Sequence, residues 1–227
     1  MTVLVLVDSS HRGGSVAVSK DDRIVHSLAG NDSRDDVFHQ IPALIQQVES
    51  EFGKPSGIVF GKGPGSFTGL RVGAALCFGL AVGYHIPLLP VCSFTAVMYG
   101  SNAPNGLVVS DARRGEYFFS SFRDSKTTAP QIIAEDELDR VIKALDGEAV
   151  DRTRYFVVEG PSEIAGNTFE PGVPWLSSGL LRVARMLPKD AWIPPDIERL
   201  SMFVPNYLRS VSAQTIAERA QERNFAG

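Results

Sequence analysis

The residues best placed to do chemistry lie in a glycine-rich segment, residues 61–73, with the sequence Gly-Lys-Gly-Pro-Gly-Ser-Phe-Thr-Gly-Leu-Arg-Val-Gly. Consecutive backbone N–H groups followed by a helix N-terminus favour the binding of an anion. The candidate anion- or nucleotide-binding residues in this segment are Gly63, Gly65, Ser66 and Thr68. The alternative is that the glycines permit a tight turn into a helix that packs closely on its neighbour or on a partner.

Three known motifs with glycine loops do not fit this segment. A Walker A loop requires Ser or Thr directly after its Lys, and Lys62 is followed by Gly63. A dinucleotide-binding fingerprint belongs to an early strand–turn–helix unit, whereas this loop follows three predicted strands and a helix. In a nucleophile elbow the serine stands two residues from each glycine, but Ser66 lies one residue after Gly65 and three before Gly69. A peptidase that uses Ser66 is therefore not favoured.

Two aspartates, Asp8 and Asp111, each end an apolar run and occupy matching places in the two halves of the chain. Carboxylates at strand ends can hold Mg²⁺ through water beneath a nucleotide. Equally, each aspartate can cap the turn that follows it. The four histidines include no His-x-x-x-His pair, so we predict no metal site.

The composition is that of an ordinary globular protein with 44% hydrophobic and 21% charged residues. A net charge of −4 offers no general electrostatic attraction for nucleic acid, so any RNA would be held by another protein. The chain shows no signal-peptide pattern, and Cys77 and Cys92 both lie in apolar surroundings, which favours the cytoplasm. Residues 66–83 approach the length of a membrane span, but Arg71 and four glycines favour a buried helix.

The first part of the chain predicts a three-stranded meander, a helix, a strand, a second helix, another strand and a short third helix. The strands are expected at residues 2–8, 15–19, 23–27, 57–61 and 87–91. The first helix should begin at Ser33 as N-cap, with Asp35 and Asp36 in its first turn, and Pro42 should bend it. Ser93 should cap the third helix, which ends at Tyr99.

A small polar stretch at residues 101–106 marks the boundary between two predicted lobes, residues 1–104 and 105–227. The second lobe repeats the order of the first. Strands are expected at residues 107–110, 116–123, 131–134 and 155–159, and helices at residues 135–145, 177–186 and 212–224. Residues 160–176 and 188–206 are rich in proline, and we predict no regular structure for them.

This duplication predicts the α/β fold of actin, sugar kinases and heat-shock ATPases, the ASKHA or ribonuclease-H-like architecture. Each lobe is then a mixed sheet with helices. On the fold alone, an actin-like or sugar-kinase-like nucleotide-binding ATPase is one possible function.

The two helices of the first lobe, residues 34–52 and 67–83, carry more apolar surface than one small sheet can cover. Glycines four residues apart also leave one face of the second helix nearly bare, which permits close helix approach. We therefore predict a partner interface made of helices, although the same side chains could instead cover the sheet of their own lobe. Its candidate residues are Val37, Ile41, Leu44, Ile45, Val48, Gly69, Gly73, Leu76 and Leu80.

Four segments, taken in order, resemble the bacterial TsaB (YeaZ) family. Residues 63–73 resemble its glycine signature, residues 5–10 and 15–18 its first hairpin, and residues 111–117 the opening of its second lobe. Residues 205–209, Pro-Asn-Tyr-Leu-Arg, resemble its late Pro-x-Tyr-Leu-Arg motif. The chain departs from the family at Asp36, where relatives often carry histidine.

The resemblance implies a subunit without catalysis or a cofactor of its own, with nucleotide bound at most at a complex interface. It would pair with a larger catalytic paralogue, TsaD, which transfers a threonylcarbamoyl group to tRNA adenosine. A small ATPase, TsaE, would join the pair. The family forms a homodimer when alone, uses the first-lobe helices for pairing, and meets tRNA only through the complex.

Overall fold

The computed structural model describes residues 2–30, 37–124, 126–147, 153–164 and 166–201, together with Pro205 and Leu208. The strands of its first sheet are β1 (Val3–Asp8), β2 (Ser15–Lys20), β3 (Arg23–Ala29), β4 (Gly57–Gly61) and β5 (Leu88–Val91). They lie in the order β3-β2-β1-β4-β5. β1 runs parallel to β4, which runs parallel to β5, whereas the β1–β2 and β2–β3 pairs are antiparallel.

Strand β1 is continuously apolar because it lies in the middle of the sheet and is covered on both faces. Val3, Val5 and Val7 pack on one side, and Leu4 and Leu6 pack on the other. Successive side chains of a strand point to opposite faces, so one strand contributes to two separate cores.

The second sheet repeats this plan. Its strands are β6 (Asn105–Arg113), β7 (Glu116–Arg123), β8 (Lys126–Thr127), β9 (Gln131–Ala134), β10 (Thr153–Val157) and β13 (Glu170–Pro171). They lie in the order β13-β10-β6-β7, with β9 on the far side of β7. The strand directions are the same as in the order β5-β4-β1-β2-β3 of the first sheet. A small hairpin of β11 (Glu163–Ile164) and β12 (Asn167–Thr168) lies apart. The predicted duplicated α/β fold is thus confirmed.

The helices complete five layers. Helices α1 (Ile41–Phe52) and α2 (Phe67–Tyr84) cover the outer face of the first sheet, and α4 (Glu135–Gly147) covers that of the second. Helices α3 (Ser93–Ser101) and α5 (Val173–Met186) lie between the two sheets in one shared core. A short α6 (Ile197–Ser201) follows a 3₁₀ turn at Lys189–Ala191.

Close contact between α3 and α5 depends on two glycines. A Cβ at Gly179 would lie 1.7 Å from the carbonyl oxygen of Ala96, and a Cβ at Gly100 would lie 2.1 Å from that of Trp175. The two backbones therefore touch with no side chain between them. This contact joins the halves of the molecule, because α3 leads into the second sheet and α5 packs back against β1 and β2.

Several local predictions are wrong for identifiable reasons. Pro42 occupies the first turn of α1, where no N–H is needed, so it starts the helix instead of bending it. Ser93 is not a helix cap, since Cys92 holds that position and the Ser93 hydroxyl bonds elsewhere. The stretches predicted to be irregular contain β11, β12, β13, the first turn of α5, the 3₁₀ turn and α6.

Residues near the end of the described chain return to the first sheet. Ile193 exchanges two backbone hydrogen bonds with Leu88 on β5, and Leu200 is buried in the core beneath α2. The predicted cap at Ser33, the acidic pair Asp35 and Asp36, and a helix at residues 212–224 lie outside the described residues.

The α3–α5 contact predicts opposite effects for one added methyl group at two helical glycines. Gly179→Ala should destabilise the protein by about 1–3 kcal/mol, because the methyl group meets a backbone carbonyl that cannot move aside. Gly83→Ala should be neutral or stabilising by up to about 1 kcal/mol, since nothing lies within 4 Å of it and alanine favours helix. Urea unfolding of both variants measures the difference, and equal stabilities would contradict the close contact.

Candidate functional site

The candidate site lies at the carboxyl ends of three neighbouring strands. Asp8 ends β1, the glycine loop of residues 61–66 follows β4, and Ser93 comes two residues after β5. Because β1, β4 and β5 run parallel, these ends meet at the same edge of the sheet. The structure therefore brings together Asp8, Gly63, Gly65 and Ser66 from the predicted site and adds Ser10 and Ser93.

The Asp8 carboxylate is fully buried and accepts three hydrogen bonds within the protein. Its Oδ1 accepts from the Ser10 backbone N–H at 2.9 Å and from the Ser10 hydroxyl at 2.5 Å. Its Oδ2 accepts from the Ser93 hydroxyl at 2.7 Å, and the Ser93 oxygen accepts from the Gly63 N–H at 3.1 Å. This chain of bonds, the Asp8 network, connects β1, the glycine loop and α3.

Two glycines leave the space that the Asp8 network occupies. A Cβ at Gly61 would lie 1.9 Å from Asp8 Oδ2, and a Cβ at Gly65 would lie 2.2 Å from the carbonyl oxygen of Ser10. Gly63 has a φ of 90°, in the left-handed region that favours glycine. The glycine loop is thus shaped to fit against residues 8–10.

Two backbone N–H groups at the start of α2 have partners within the protein. Ser66 donates its backbone N–H to the Ser10 carbonyl at 2.7 Å, and its hydroxyl caps the helix by accepting from the Gly69 N–H at 3.3 Å. Thr68 is exposed in the first turn. Packing and capping account for Gly63, Gly65 and Ser66, while anion binding at these residues and Thr68 stays a prediction.

Asp111, the counterpart of Asp8, holds the β6–β7 turn. It accepts from the backbone N–H of Arg113 at 2.6 Å and pairs with the Arg113 guanidinium at 3.0 Å. The same guanidinium reaches Glu159 at 2.9 Å. Asp8 and Asp111 therefore both make the turn-capping contacts that were one of the two sequence interpretations.

The predicted partner surface on α1 needs correction. Its five candidate side chains are all buried in the core between α1, α2 and the first sheet, so they cover their own lobe: Val37, Ile41, Leu44, Ile45 and Val48. The exposed side of α1 carries polar residues such as Gln46 and Gln47. Helical periodicity identified the apolar face correctly but gave no information about what covers it.

The glycine face of α2 also points inward. A Cβ at Gly73 would lie 2.0 Å from the Ser9 hydroxyl oxygen and 2.9 Å from the Phe60 ring, so this face packs on β1 and β4. Gly69 is buried too, and Leu76 and Leu80 are half-buried against the same core. The close approach that the glycine spacing predicts occurs within the lobe, where Gly73 packs on β1 and β4.

An apolar stripe remains exposed on the outer side of α2. It consists of Val72, Ala75, Gly79, Val82 and Gly83 and is called the α2 stripe below. The exposed Arg71 borders the stripe, with its guanidinium over the Phe67 ring. Val72 and Val82 are 44% and 39% exposed, and nothing lies within 4 Å of a Cβ at Gly79 or Gly83. Within the described part of the chain, α2 alone is long and apolar enough to cross a membrane, and a third of it is buried.

The Cys77 thiol near the Asp8 network is poorly reactive. Burial, and secondarily the Asp8 carboxylate, raise the pKa of the Cys77 thiol on the inner face of α2 far above its usual value. A thiol in that state is a poor nucleophile. The described residues contain no group of three or more His, Cys, Asp or Glu side chains arranged to hold a metal ion.

Sequence reasoning did not identify Ser10 and Ser93 as members of the site. Ser93 lies 85 residues from Asp8, so no local pattern connects them. One signal was available: polar residues directly after each of three parallel strands are expected to converge at one sheet edge.

Comparisons with known proteins agree with this fold. The family model for TsaD, tRNA N6-adenosine threonylcarbamoyltransferase, matches residues 24–187, more than two thirds of the chain. TsaB from Haemophilus influenzae, a "tRNA threonylcarbamoyladenosine biosynthesis protein", is 32% identical over 123 residues, and Escherichia coli TsaB is 25% identical over 126. The chain belongs to the TsaB (YeaZ) branch of the TsaD family. It spans about half the length of the curated TsaB relatives it matches.

Solved structures share the fold over a larger part of the chain. YeaZ from Pseudomonas aeruginosa has a TM-score of 0.65 and 21% identity, covering 92% of this chain and all of that one. An ethanolamine utilization protein, EutJ from Carboxydothermus hydrogenoformans, has a TM-score of 0.50 and 14% identity, covering 80% of this chain and 89% of that one. These likenesses support the predicted actin-like two-lobe fold.

The Asp8 network predicts a large stability loss from removing one buried hydroxyl. Ser93→Ala should cost about 1–3 kcal/mol, because Asp8 Oδ2 and the Gly63 N–H both lose a partner while staying buried. Ser50→Ala, which removes an exposed hydroxyl bonded only to a carbonyl in its own helix, should change stability by less than about 0.5 kcal/mol. Guanidinium unfolding compares the two, and a Ser93 variant as stable as the Ser50 variant would refute the role of the network.

Proposed function

We propose that this chain is a non-catalytic scaffold subunit of a complex that forms threonylcarbamoyladenosine in tRNA. The names of its TsaB relatives include that biosynthesis, and the family model that matches this chain is that of the transferase. The observation that carries the scaffold role is the α2 stripe, a row of exposed apolar residues and glycines along one helix. Asp8 and Asp111 are engaged in turns, which favours docking over catalysis.

The α2 stripe is suited to helix packing. Ala75, Gly79 and Gly83 expose little side chain, so the backbone of a second helix can approach closely. Val72 and Val82 flank them and supply apolar area that contact with a partner removes from water. The inner side of α2 is fixed by Gly73 and Cys77, so the stripe keeps one orientation.

The partner we propose for the α2 stripe is the equivalent surface of a larger, catalytic TsaD-like paralogue. When that paralogue is absent, two copies of this chain pair through the same surface. A TsaE-like ATPase joins the complex, and tRNA contacts this chain only indirectly, in keeping with its net charge of −4. We place the complex in the cytoplasm, away from membranes, because the inner face of α2 packs on its own sheet.

A charge placed in the middle of the α2 stripe should disrupt association. Ala75→Arg should weaken pairing with the TsaD-like partner on the order of 100-fold or more, because an unpaired buried charge costs about 3–5 kcal/mol. Ala144→Arg makes the same change at an exposed position of α4 and should leave pairing intact. Size-exclusion chromatography with light scattering measures the association of each variant with the TsaD-like partner. Co-elution of the Ala75 variant with the partner would show that the interface lies elsewhere.

A second prediction addresses the ATPase alternative. The isolated chain should give no binding heat with Mg-ATP, because the buried Asp8 carboxylate and the Gly63 and Ser66 N–H groups already have partners within the protein. Isothermal titration calorimetry tests this, with the TsaE-like ATPase as a positive control. Tight binding that Asp8→Asn abolishes would support an actin-like ATPase instead.

A further inference from the structure

A pocket of about 500 Å³ opens at the edge of the first sheet opposite the Asp8 network. It lies at the amino ends of β1, β4 and β5, between Leu4, Pro87 and the segment that contains Trp192 and Pro194. Below it is called the Trp192 pocket. Its volume falls within the range of small-molecule sites.

The floor and walls of the Trp192 pocket are apolar. Leu4 is buried in the shared core, and Trp192 lies half-buried across β4. A Cβ at Gly57 would lie 2.7 Å from the indole ring, so glycine at that position admits the tryptophan. Pro87 and Pro194 complete the walls with rings that have little conformational freedom to lose when a ligand binds.

Backbone hydrogen bonds fix the shape of the Trp192 pocket. Leu88 donates to the Ile193 carbonyl at 2.9 Å, and Ile193 donates back at 2.7 Å, which holds the Trp192 segment along β5. The Trp192 N–H donates to the Lys189 carbonyl at 3.2 Å, and the Ser56 N–H donates to Val3 at 2.7 Å. The pocket is therefore preformed, and little binding free energy is lost in ordering it when a ligand binds.

The polar groups around the pocket can all donate hydrogen bonds. They are the Lys189 ammonium and the hydroxyls of Thr2 and Ser56, and none of the described residues that line the pocket is acidic. Lys189 is exposed and forms no ion pair within the portion of the chain that the structure describes. One uncompensated positive charge above an apolar floor is complementary to a ligand with an apolar body and one negative group.

We propose that the Trp192 pocket binds a small amphipathic carboxylate, with its apolar body against Trp192 and Leu4 and its carboxylate beside Lys189. The body is a single ring or a branched aliphatic group, either of which fits within about 500 Å³. The site lies at the opposite sheet edge from the Asp8 network and involves none of the α2 stripe.

Tryptophan fluorescence of the full-length chain tests this proposal. The chain has two tryptophans, so Trp175→Phe leaves Trp192 as the only emitter. Titration with cyclohexanecarboxylate, which does not absorb at the excitation wavelength, should give a saturable shift in emission. The neutral isostere cyclohexanecarboxamide should bind about ten-fold more weakly, because it has no charge for Lys189.

Two variants identify the site. In the Lys189→Gln variant, the affinity for the carboxylate should fall to within about two-fold of the affinity for the amide. The matched change Lys143→Gln on α4 should leave the ten-fold preference for the carboxylate unchanged. Ser56→Phe, at the exposed rim, should fill the pocket and abolish the shift. If Trp175→Phe does not fold, the natural chain can be labelled with 5-fluorotryptophan. Its two ¹⁹F NMR resonances then report whether the ligand changes the signal of Trp192. Equal binding of acid and amide, a preference that survives Lys189→Gln, or no saturable shift would each overturn the proposal.

Discussion

The buried carboxylate of Asp8 is the constraint on which the arrangement of the first lobe depends. Burying a carboxylate is costly unless hydrogen bonds replace the lost water, and Asp8 receives three, from Ser10 and Ser93. These bonds link the end of β1 to the start of α3, and through Ser93 to Gly63 in the glycine loop. The glycine-rich sequence is therefore explained by an acidic group inside the protein, without the need for a bound phosphate.

The position of the glycine loop determines which side of α2 faces outward. The helix begins at Phe67, directly after the Ser66 cap, and Gly73 lies against Ser9 and Phe60. With 3.6 residues per turn, fixing Gly73 and Cys77 inward turns the α2 stripe away from the sheet. A buried polar contact thus orients an apolar surface on the opposite side of the same helix. Changes in the Asp8 network are expected to affect docking as well as stability.

Most of the fold could be predicted from the sequence because its elements are defined by local patterns. The strand β7 was predicted at its observed bounds, and the Asp8–Asp111 correspondence revealed the duplication. The errors concern long-range contacts. Periodicity could not show that the sheet fully covers Ile41 and Val48, and glycine spacing could not show that Gly73 faces inward. The partners of Ser93 and Ile193 lie far away in sequence, so no local signal indicated them.

Three features lie on separate faces of the first sheet, and this separation allows their roles to be distinguished. The Asp8 network occupies the carboxyl edge, the Trp192 pocket the amino edge, and the α2 stripe the outer surface of the helical layer. Lys189 and Ser56 line the pocket at one sheet edge, and no described atom lies within 4 Å of a Cβ at Gly79 in the stripe. Substitutions in the pocket should therefore act additively with those in the stripe. Energetic coupling between the pocket and the stripe would therefore have to pass through the sheet, and its most direct route is β4. This strand carries Gly57 beside Trp192 at one end. Near its other end it carries Phe60, which lies beside Gly73.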